Sequence, residues 1–331
     1  MISLLYLHII QYAGFIGAQI TNATLSYLIW TKAEKLFGSY RYVMLVFALY
    51  SLIYAWIEVI TQPVMHIKGP VFVVYMDSPL KYQKWIGNDI TCLYCGSFAF
   101  VISLLAVQFF YRYIAVCKTS HLDEIEGKRL VVIFIPCIIC FILWFEFVYW
   151  GMANTVEKQL YLKEELLSYY KEDSTKVSLI APMYWSIGTN GEKLWKILDI
   201  MSSVGCTAII MTCFSTIIFC AYNIYTKMKD GSSHMSAKTK ELNRQLFVTL
   251  MLQTLLPFIM MYSPVGLLIT FPLFEIGVGS LANFTGASLA VYPALEPLIA
   301  ICCIREFRKS ILCRTNHKVA NSTAAMSSSA F

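Results

Sequence analysis

Charged side chains are scarce in this chain of 331 residues. They make up 14% of it, whereas soluble domains carry roughly 25%. Hydrophobic residues account for 58%, and the charges cluster between long apolar runs. This composition excludes an ordinary soluble domain and indicates a polytopic membrane protein. The basic residues punctuate apolar runs and form no patch, so the formal net charge of +6 does not indicate nucleic-acid binding.

Other absences exclude further classes of protein. The segment from Gly151 to Trp195 has no cysteine, although the chain has 11, so we expect no disulfide framework there. The sequence has no nucleophile–base pair, metal-ligand cluster or phosphate-binding loop. We therefore predict neither an enzyme nor a bound metal or other cofactor. The first certain charge is Lys32, which favours a retained first span over a cleaved signal peptide.

Seven runs are long and apolar enough to cross a bilayer as helices. None shows the alternating pattern of a membrane β-barrel strand, so the predicted fold class is an all-α membrane protein with a seven-transmembrane-helix bundle. The runs lie near Ile9–Trp30, Tyr42–Ile60, Ile90–Tyr113, Leu130–Trp150, Lys196–Tyr225, Gln245–Phe271 and Glu275–Ile304.

The basic residues predict the orientation of this bundle. Most of the 26 lysines and arginines fall on one side of the membrane if the amino terminus is outside. We therefore expect an outside amino terminus and a cytoplasmic carboxyl terminus. Residues 1–312 should form the receptor domain, ending in a short amphipathic helix after the seventh span. Residues 313–331, rich in Ser, Thr and Ala, should form a disordered tail.

Two outer loops are long enough to have structure of their own. The first, Thr61–Asp89, is rich in proline and glycine and is predicted to be irregular. In the second, Asn154 and Glu157 resemble a capping box, which predicts a helix after them. Two interpretations of this second loop stay open. It is either a lid over an outer pocket or a solvated cap that makes no ligand contact.

One arginine, Arg112, stands between Tyr111 and Tyr113 at the end of the third predicted span. Basic and aromatic side chains at a helix end anchor a spanning helix to the membrane interface, so Arg112 has one interpretation as an anchor. The alternative is a switch residue on the cytoplasmic face of a receptor. In that case Tyr111 or Tyr113 would hold the guanidinium at rest through hydroxyl or cation–π contacts.

A second candidate switch lies in the seventh run, where Glu296 precedes Pro297. A carboxyl group within the membrane must be protonated or find a donor or cation inside the bundle. The adjacent proline removes a backbone hydrogen bond and permits a bend. In the sixth run, Pro257 should kink the helix and let its inner end move as a lever. The alternative for both prolines is that they are merely tolerated.

Four ordered sets of residues carry a resemblance to a known family. The chain is similar to the nematode seven-transmembrane chemoreceptors of the Str type. The matching stretches are Ile57-Glu58 with Pro63-Val-Met-His66; Gln108-Phe-Phe-Tyr-Arg-Tyr113; Gln245-Leu-Phe with Leu252-Gln-Thr-Leu-Leu-Pro257; and Tyr292-Pro-Ala-Leu-Glu-Pro-Leu-Ile with Ile304-Arg-Glu-Phe-Arg308. The resemblance implies an odorant or other small-molecule receptor in the plasma membrane of a sensory-neuron cilium, signalling through a heterotrimeric G protein.

The resemblance also implies a ligand site between the outer halves of the third, fifth, sixth and seventh spans. Aromatic and thioether side chains with a few hydroxyls suit a small, mostly apolar ligand. The candidate ligand-binding residues are Tyr94, Phe98, Met201, Met261, Tyr262, Phe284 and Ser288. Compared with rhodopsin-like receptors, the Tyr111-Arg112-Tyr113 motif lacks the usual acidic neighbour.

Two other classes of protein compete with the receptor interpretation. A ligand-gated cation channel of the seven-helix odorant-receptor type would have its amino terminus inside, against the distribution of basic residues. A small-molecule transporter should have paired broken helices in two halves, and no internal repeat is evident in this sequence.

Overall fold

A computed structural model describes residues 3–33, 37–230 and 237–312. The chain is mostly helical, and we number its α-helices in chain order. They are α1 (Leu4–Lys32), α2 (Tyr40–Thr61), α3 (Lys84–Cys117), α4 (Ile135–Glu146), α5 (Val156–Tyr170), α6 (Ile197–Asp230), α7 (Ala237–Pro257), α8 (Ser263–Thr270), α9 (Asn283–Cys303) and α10 (Arg305–Ile311). The predicted disordered tail lies outside the described residues.

Six helical segments within the described residues are long and apolar enough to cross a membrane. They correspond to the second to seventh predicted spans. The first predicted span lies within α1, a continuous helix of 29 residues that is diluted by polar side chains such as Gln11 and Asn22. These side chains face protein, because Gln11 donates to the Pro63 carbonyl at 3.1 Å and Asn22 to the Pro293 carbonyl at 2.8 Å. α1 packs along α9 and completes the seven-helix bundle.

The core of the bundle is built around α3. Buried residues lie on every side of this helix, which contacts α2, α4 and α6. The fourth and fifth spans instead leave large apolar side chains exposed, including Ile138, Ile142 and Ile218. Such a surface would be a liability in water and is expected where helices face lipid tails. The bundle therefore has a packed centre and an apolar outer wall.

The first outer loop is an ordered β-hairpin, so its predicted irregularity is wrong. β1 (Pro63–Lys68) pairs antiparallel with β2 (Val71–Met76), and the intervening Gly69 adopts a positive φ of 49°. The Gly-Pro pair forms the turn, while the run of β-branched and aromatic residues after it forms a strand. β3 (Leu179–Ile180), from the second outer loop, adds to β2.

The second outer loop contains the predicted helix, α5, but not the predicted capping box. Thr155 precedes the helix, and the Asn154 side chain accepts from Gln159 at 2.8 Å instead of capping the backbone. α5 buries Leu162 and Leu166 against the hairpin. A second small sheet follows, formed by β4 (Trp185–Ile187) and β5 (Lys193–Trp195). Cys92, beneath this loop, is a buried free thiol.

The sixth span is interrupted where the sequence predicts a kink. α7 ends at Pro257, a π-helical turn follows over Phe258–Tyr262, and α8 continues the span. The seventh span begins at Asn283, not at Glu275 as expected. Glu275 itself adopts a positive φ of 58°, which ends the preceding helical turn and prevents a helix from starting there. After α9, the short helix α10 buries Phe307 and exposes its arginines.

Candidate ligand cavity and switch region

A partly enclosed apolar cavity lies beneath the β-hairpin, at the end of the bundle that we call the hairpin end. Its volume is about 60 Å³, which is room for roughly four to six water-sized groups. The hairpin, α3, α4 with its following π-turn, the second outer loop, α6, α8 and α9 all contribute. The lining residues are Met65, Phe72, Val74, Tyr94, Cys95, Phe98, Trp144, Val148, Met152, Ile180, Pro182, Cys206, Val265, Ile269 and Leu289.

The second outer loop covers this cavity. We call the hairpin strands β1 and β2 of the first outer loop, together with β3 and α5 of the second, the lid. Ile180 and Pro182 of the loop line the cavity directly, as the lid alternative predicts for its contact with an outer pocket. Tyr184 fastens the same loop to the bundle, because its hydroxyl donates to the Ile269 carbonyl at 2.7 Å.

Polar side chains connect the lid to the seventh span. The two ring nitrogens of His66 lie 3.0 Å from the Tyr170 hydroxyl and 3.2 Å from Glu165 of α5. Asn283, at the start of α9, donates to the same Tyr170 hydroxyl at 3.0 Å and accepts from the Met65 backbone at 2.8 Å. Burial lowers the pKa of His66, and the neighbouring Glu165 opposes that shift. The lid is therefore held to α9 by a buried hydrogen-bond network.

A buried ion pair connects the lid to the fifth span. Lys158 of α5 lies 2.6 Å from Asp199, near the start of α6. The same carboxylate accepts from the Met183 backbone at 2.9 Å, so Asp199 positions both the helix and the strand region of the loop. Burial lowers the pKa of Lys158, and Asp199 acts in the opposite direction. Removing one partner of such a pair leaves an uncompensated buried charge.

The structure brings only part of the predicted ligand set to the cavity. Tyr94 and Phe98 line it. Met261 and Tyr262 are buried in the π-turn of the sixth span, where Tyr262 packs against the lining residue Phe98. Met201 is 61% exposed and Phe284 is 56% exposed, both on the outer wall of the bundle, so placing them in the cavity is wrong. The neighbours that do line it are Cys206 and Leu289.

Ser288, also predicted to bind ligand, has a structural contact instead. Its hydroxyl donates to the Met260 carbonyl at 2.8 Å. Met260 lies in the π-turn, where the regular α-helical bonding is interrupted. Phe98 packs against Tyr262 of the same turn with ring centroids 4.7 Å apart. The π-turn is thus contacted both by a cavity residue and by the seventh span.

Glu296 is fully buried midway along the seventh span. Its Oε1 accepts a hydrogen bond from the Gln253 side chain of α7, a donor inside the bundle of the kind that the sequence predicts. Its Oε2 has no partner among the described residues. Pro297 follows directly, yet α9 continues through it without a break. The contact joins the sixth and seventh spans one turn below Pro257.

Arg112 lies at the opposite end of the bundle, which we call the Arg112 end, and is only 8% exposed. Its guanidinium donates to the Asn243 side chain of α7 at 2.7 Å. It also lies 5.4 Å from the centre of the Tyr40 ring, a cation–π distance. A snorkelling anchor would extend toward water. The observed side chain instead bridges the second, third and sixth spans.

The tyrosines beside Arg112 have other contacts. Tyr111 stacks on Tyr40 at 5.4 Å, and Tyr113 packs on Phe219 of α6 at 5.7 Å. The cation–π contact of the guanidinium is made by Tyr40 and its hydrogen bond by Asn243, two residues that the sequence analysis did not name. Neither partner was found from sequence. Both come from other helices, and no local spacing connects them to Arg112.

The fold and these two regions define a class of protein. A seven-helix membrane bundle with a covered cavity at one end and a buried arginine bridging three helices at the other is a serpentine receptor. The family model for the serpentine type 7TM GPCR chemoreceptor Str matches residues 7–312, and the chain belongs to this family. It is a family of receptors, not of enzymes.

Individual relatives agree with this assignment. The chain is 30% identical to serpentine receptor class r-10 of Caenorhabditis briggsae over 313 residues, which cover 93% of this chain and 90% of the relative. The corresponding Caenorhabditis elegans protein is 30% identical over 311 residues, 93% of this chain and 91% of that one. The G-protein coupled receptor str-33 of C. elegans is 24% identical over 89% of this chain and 86% of its own length.

Proposed function

We propose that this protein is a chemosensory receptor that binds a small, mostly apolar molecule in the covered cavity and activates a heterotrimeric G protein. The observation that carries the proposal is the cavity itself, which is partly enclosed, apolar and of about 60 Å³. A space of that size admits a molecule of a few heavy atoms and offers it mainly dispersion and hydrophobic contacts. An aqueous ion path or a polar substrate would need a different lining.

Activation runs through the sixth span. A ligand beside Phe98 presses on Tyr262, its neighbour at 4.7 Å, and so on the π-turn that follows Pro257. Because the π-turn interrupts the span, α7 can move relative to α8. Movement of α7 carries Asn243 away from Arg112 and opens the Arg112 end. The freed guanidinium, with five donors, then binds carbonyl groups at a helix end of the G protein.

The orientation proposed from the basic residues places the hairpin end outside and the Arg112 end in the cytoplasm. The location in the plasma membrane of a sensory cilium follows from the family resemblance. Epitope tags at the two termini test the orientation. Antibody access to an amino-terminal tag only after permeabilisation would contradict it and would favour the channel interpretation.

The binding proposal is tested with a panel of volatile and small metabolites on cells that express the chain with a G protein reporter. Phe98→Ala should lose most of the response to any active compound, because it removes cavity lining and the contact with Tyr262. Phe284→Ala is the matched control, since the same ring is removed from the exposed outer wall. Equal loss in both variants at equal surface level would overturn the assignment of the cavity.

A further inference from the structure

A second, larger pocket lies at the Arg112 end, between α7, α9 and α10. Its volume is about 510 Å³. It is lined mostly by polar and cationic side chains, with Arg244 and Val248 from α7 and Arg305 and Arg308 from α10. The remaining lining residues are Glu241, Gln245 and Cys303. The ligand cavity and the contacts of Arg112 do not use this pocket.

The positive charge in this pocket is only partly neutralised. Arg244 is paired with Glu241 through two bonds of 3.0 and 3.2 Å. Arg308 uses one nitrogen to donate to the Cys302 carbonyl at 2.8 Å, which leaves its other donors available. The Arg305 side chain makes no hydrogen bond within the described part of the chain, and its charge interacts with that of Glu241. The pocket therefore presents unused guanidinium donors of the kind that bind phosphate.

The backbone around the pocket is fixed by direct bonds. The Arg305 backbone amide donates to the Gln245 side chain at 3.2 Å, which joins the start of α10 to α7. Gln245 in turn donates to Glu241 at 2.9 Å. Phe307 is fully buried and anchors α10 on the bundle. The arginines thus project from a positioned helix and not from a free tail.

An apolar stripe leads away from the pocket on the outside of the bundle. Val248 lines the pocket, is 43% exposed and lies one helical turn from Arg244. Leu252 and Leu255 continue the same face of α7 toward the membrane centre and are also exposed. On α9, Leu298 is exposed one turn from Cys302. Cationic side chains thus stand at the end of an outward-facing row of exposed apolar side chains.

We propose that this pocket binds an anionic phospholipid with a phosphorylated headgroup, of the phosphoinositide type, whose acyl chains lie along the stripe of α7 and α9. Charge complementarity supplies the headgroup contacts, and the exposed apolar stripe supplies the chain contacts. The presence of this lipid in the facing leaflet rests on the proposed orientation, with the Arg112 end in the cytoplasm.

A peptide ligand fits the pocket less well than a lipid. The pocket opens on the outer wall, where Val248 and Leu252 face the lipid tails. A G protein segment would enter the centre of the bundle, which Arg112, Asn243 and Tyr40 occupy at this end. The amphipathic order of the site, with cations at the rim and apolar side chains toward the membrane centre, matches a phospholipid.

The test uses the purified full-length receptor in nanodiscs of phosphatidylcholine. One set contains phosphatidylinositol 4,5-bisphosphate and another contains phosphatidylserine at equal total charge. Bound lipid is measured by native mass spectrometry after release from the disc. Since both leaflets of a disc have the same composition, the result does not depend on orientation or on ligand binding. A soluble inositol trisphosphate arm separates headgroup binding from lipid binding.

Wild-type receptor should retain the phosphoinositide at least about tenfold more than phosphatidylserine. Arg305→Gln with Arg308→Gln should reduce that retention about tenfold. The control, Lys128→Gln with Lys309→Gln, removes equal charge outside the pocket lining and should change retention less than twofold. Thermal unfolding verifies that each variant is folded.

Four outcomes would overturn the proposal. Equal retention of the two lipids by wild-type receptor would show general charge attraction. Equal loss in the control variant would show that the pocket has no special role. Soluble inositol trisphosphate binding as tightly as the lipid would show an anion site without a lipid groove. Binding of a G protein carboxyl-terminal peptide, abolished by the pocket variant while lipid retention is unchanged, would assign the pocket to the partner protein instead.

Discussion

The contact between Arg112 and Asn243 should hold the receptor in its resting state, and Asn243→Ala should release it. A hydrogen bond to a charged group contributes about 1.5–3 kcal/mol. The Arg112–Asn243 bond is 2.7 Å long and partly buried, so its loss should fall within this range. With about 1.4 kcal/mol for each tenfold change, the ratio of active to resting receptor rises roughly 10- to 150-fold.

This change in ratio predicts a measurable basal signal. If about 1% of the receptor is active at rest, a typical minor population, Asn243→Ala raises that fraction to roughly 10–60%. Asn243→Asp should act in the opposite direction, because it converts the neutral acceptor into a carboxylate and strengthens the bond. The assay is reporter output without ligand, normalised to surface receptor, for wild type and both variants.

A suitable control is Asn223→Ala on α6. The Asn223 side chain donates to the Phe219 carbonyl of its own helix at 2.8 Å and bridges no other span. It should leave basal output unchanged. If Asn243→Ala has wild-type basal output at equal surface level, the bond does not restrain the receptor. If Asn243→Ala and Asn223→Ala raise basal output equally, the effect is a general loosening of the bundle.

Three further changes test the other regions. Glu296→Leu removes the acceptor for Gln253 and should alter basal and evoked signalling. Glu296→Gln keeps the size and hydrogen bonding of the side chain and should be closer to wild type. Unchanged signalling by the Leu variant would make Glu296 a passive residue. Arg112→Lys should lose much of the evoked signal but not ligand binding, because a point charge does not reproduce the planar fork; full signalling would favour the anchor interpretation. For His66, whose pKa is lowered by burial, protonation favours the unfolded state, so thermal stability should fall as pH drops below about 6.5. His66→Asn should show a weaker fall between pH 6.5 and 5, and an unchanged pH dependence would count against a buried neutral His66.

The spans and the kink could be predicted from sequence because they depend on local composition. A π-helical turn follows Pro257 in the sixth span, where the sequence predicts a kink, and the Gln253 side chain donates to Glu296 inside the bundle. The hairpin is hard to predict because the proline and glycine of this loop indicate irregular structure, whereas the β-branched run of Val71–Met76 forms a strand. The pairing of that run with Pro63–Lys68 satisfies its backbone groups.

The side chains of the candidate site were harder to predict. Within a membrane, the inner and outer faces of a helix are both apolar, so hydrophobic periodicity does not tell which face points inward. Met201 and Phe284 were placed on the wrong face for this reason. Asn243 is 131 residues from Arg112 along the chain, and only the packing of the helices brings the two together. The spacing of residues near Arg112 in the sequence therefore does not indicate a partner on another helix.

The lid has a consequence for how the receptor is made. It is fastened to the bundle through Asn283 of α9 and through the Lys158–Asp199 pair, while the loop from Gly151 to Trp195 contains no cysteine. Assembly of this cover needs no thiol oxidation. A receptor synthesised in a reducing cell-free mixture with supplied lipid can therefore close the same cavity as one that has passed through an oxidising secretory compartment.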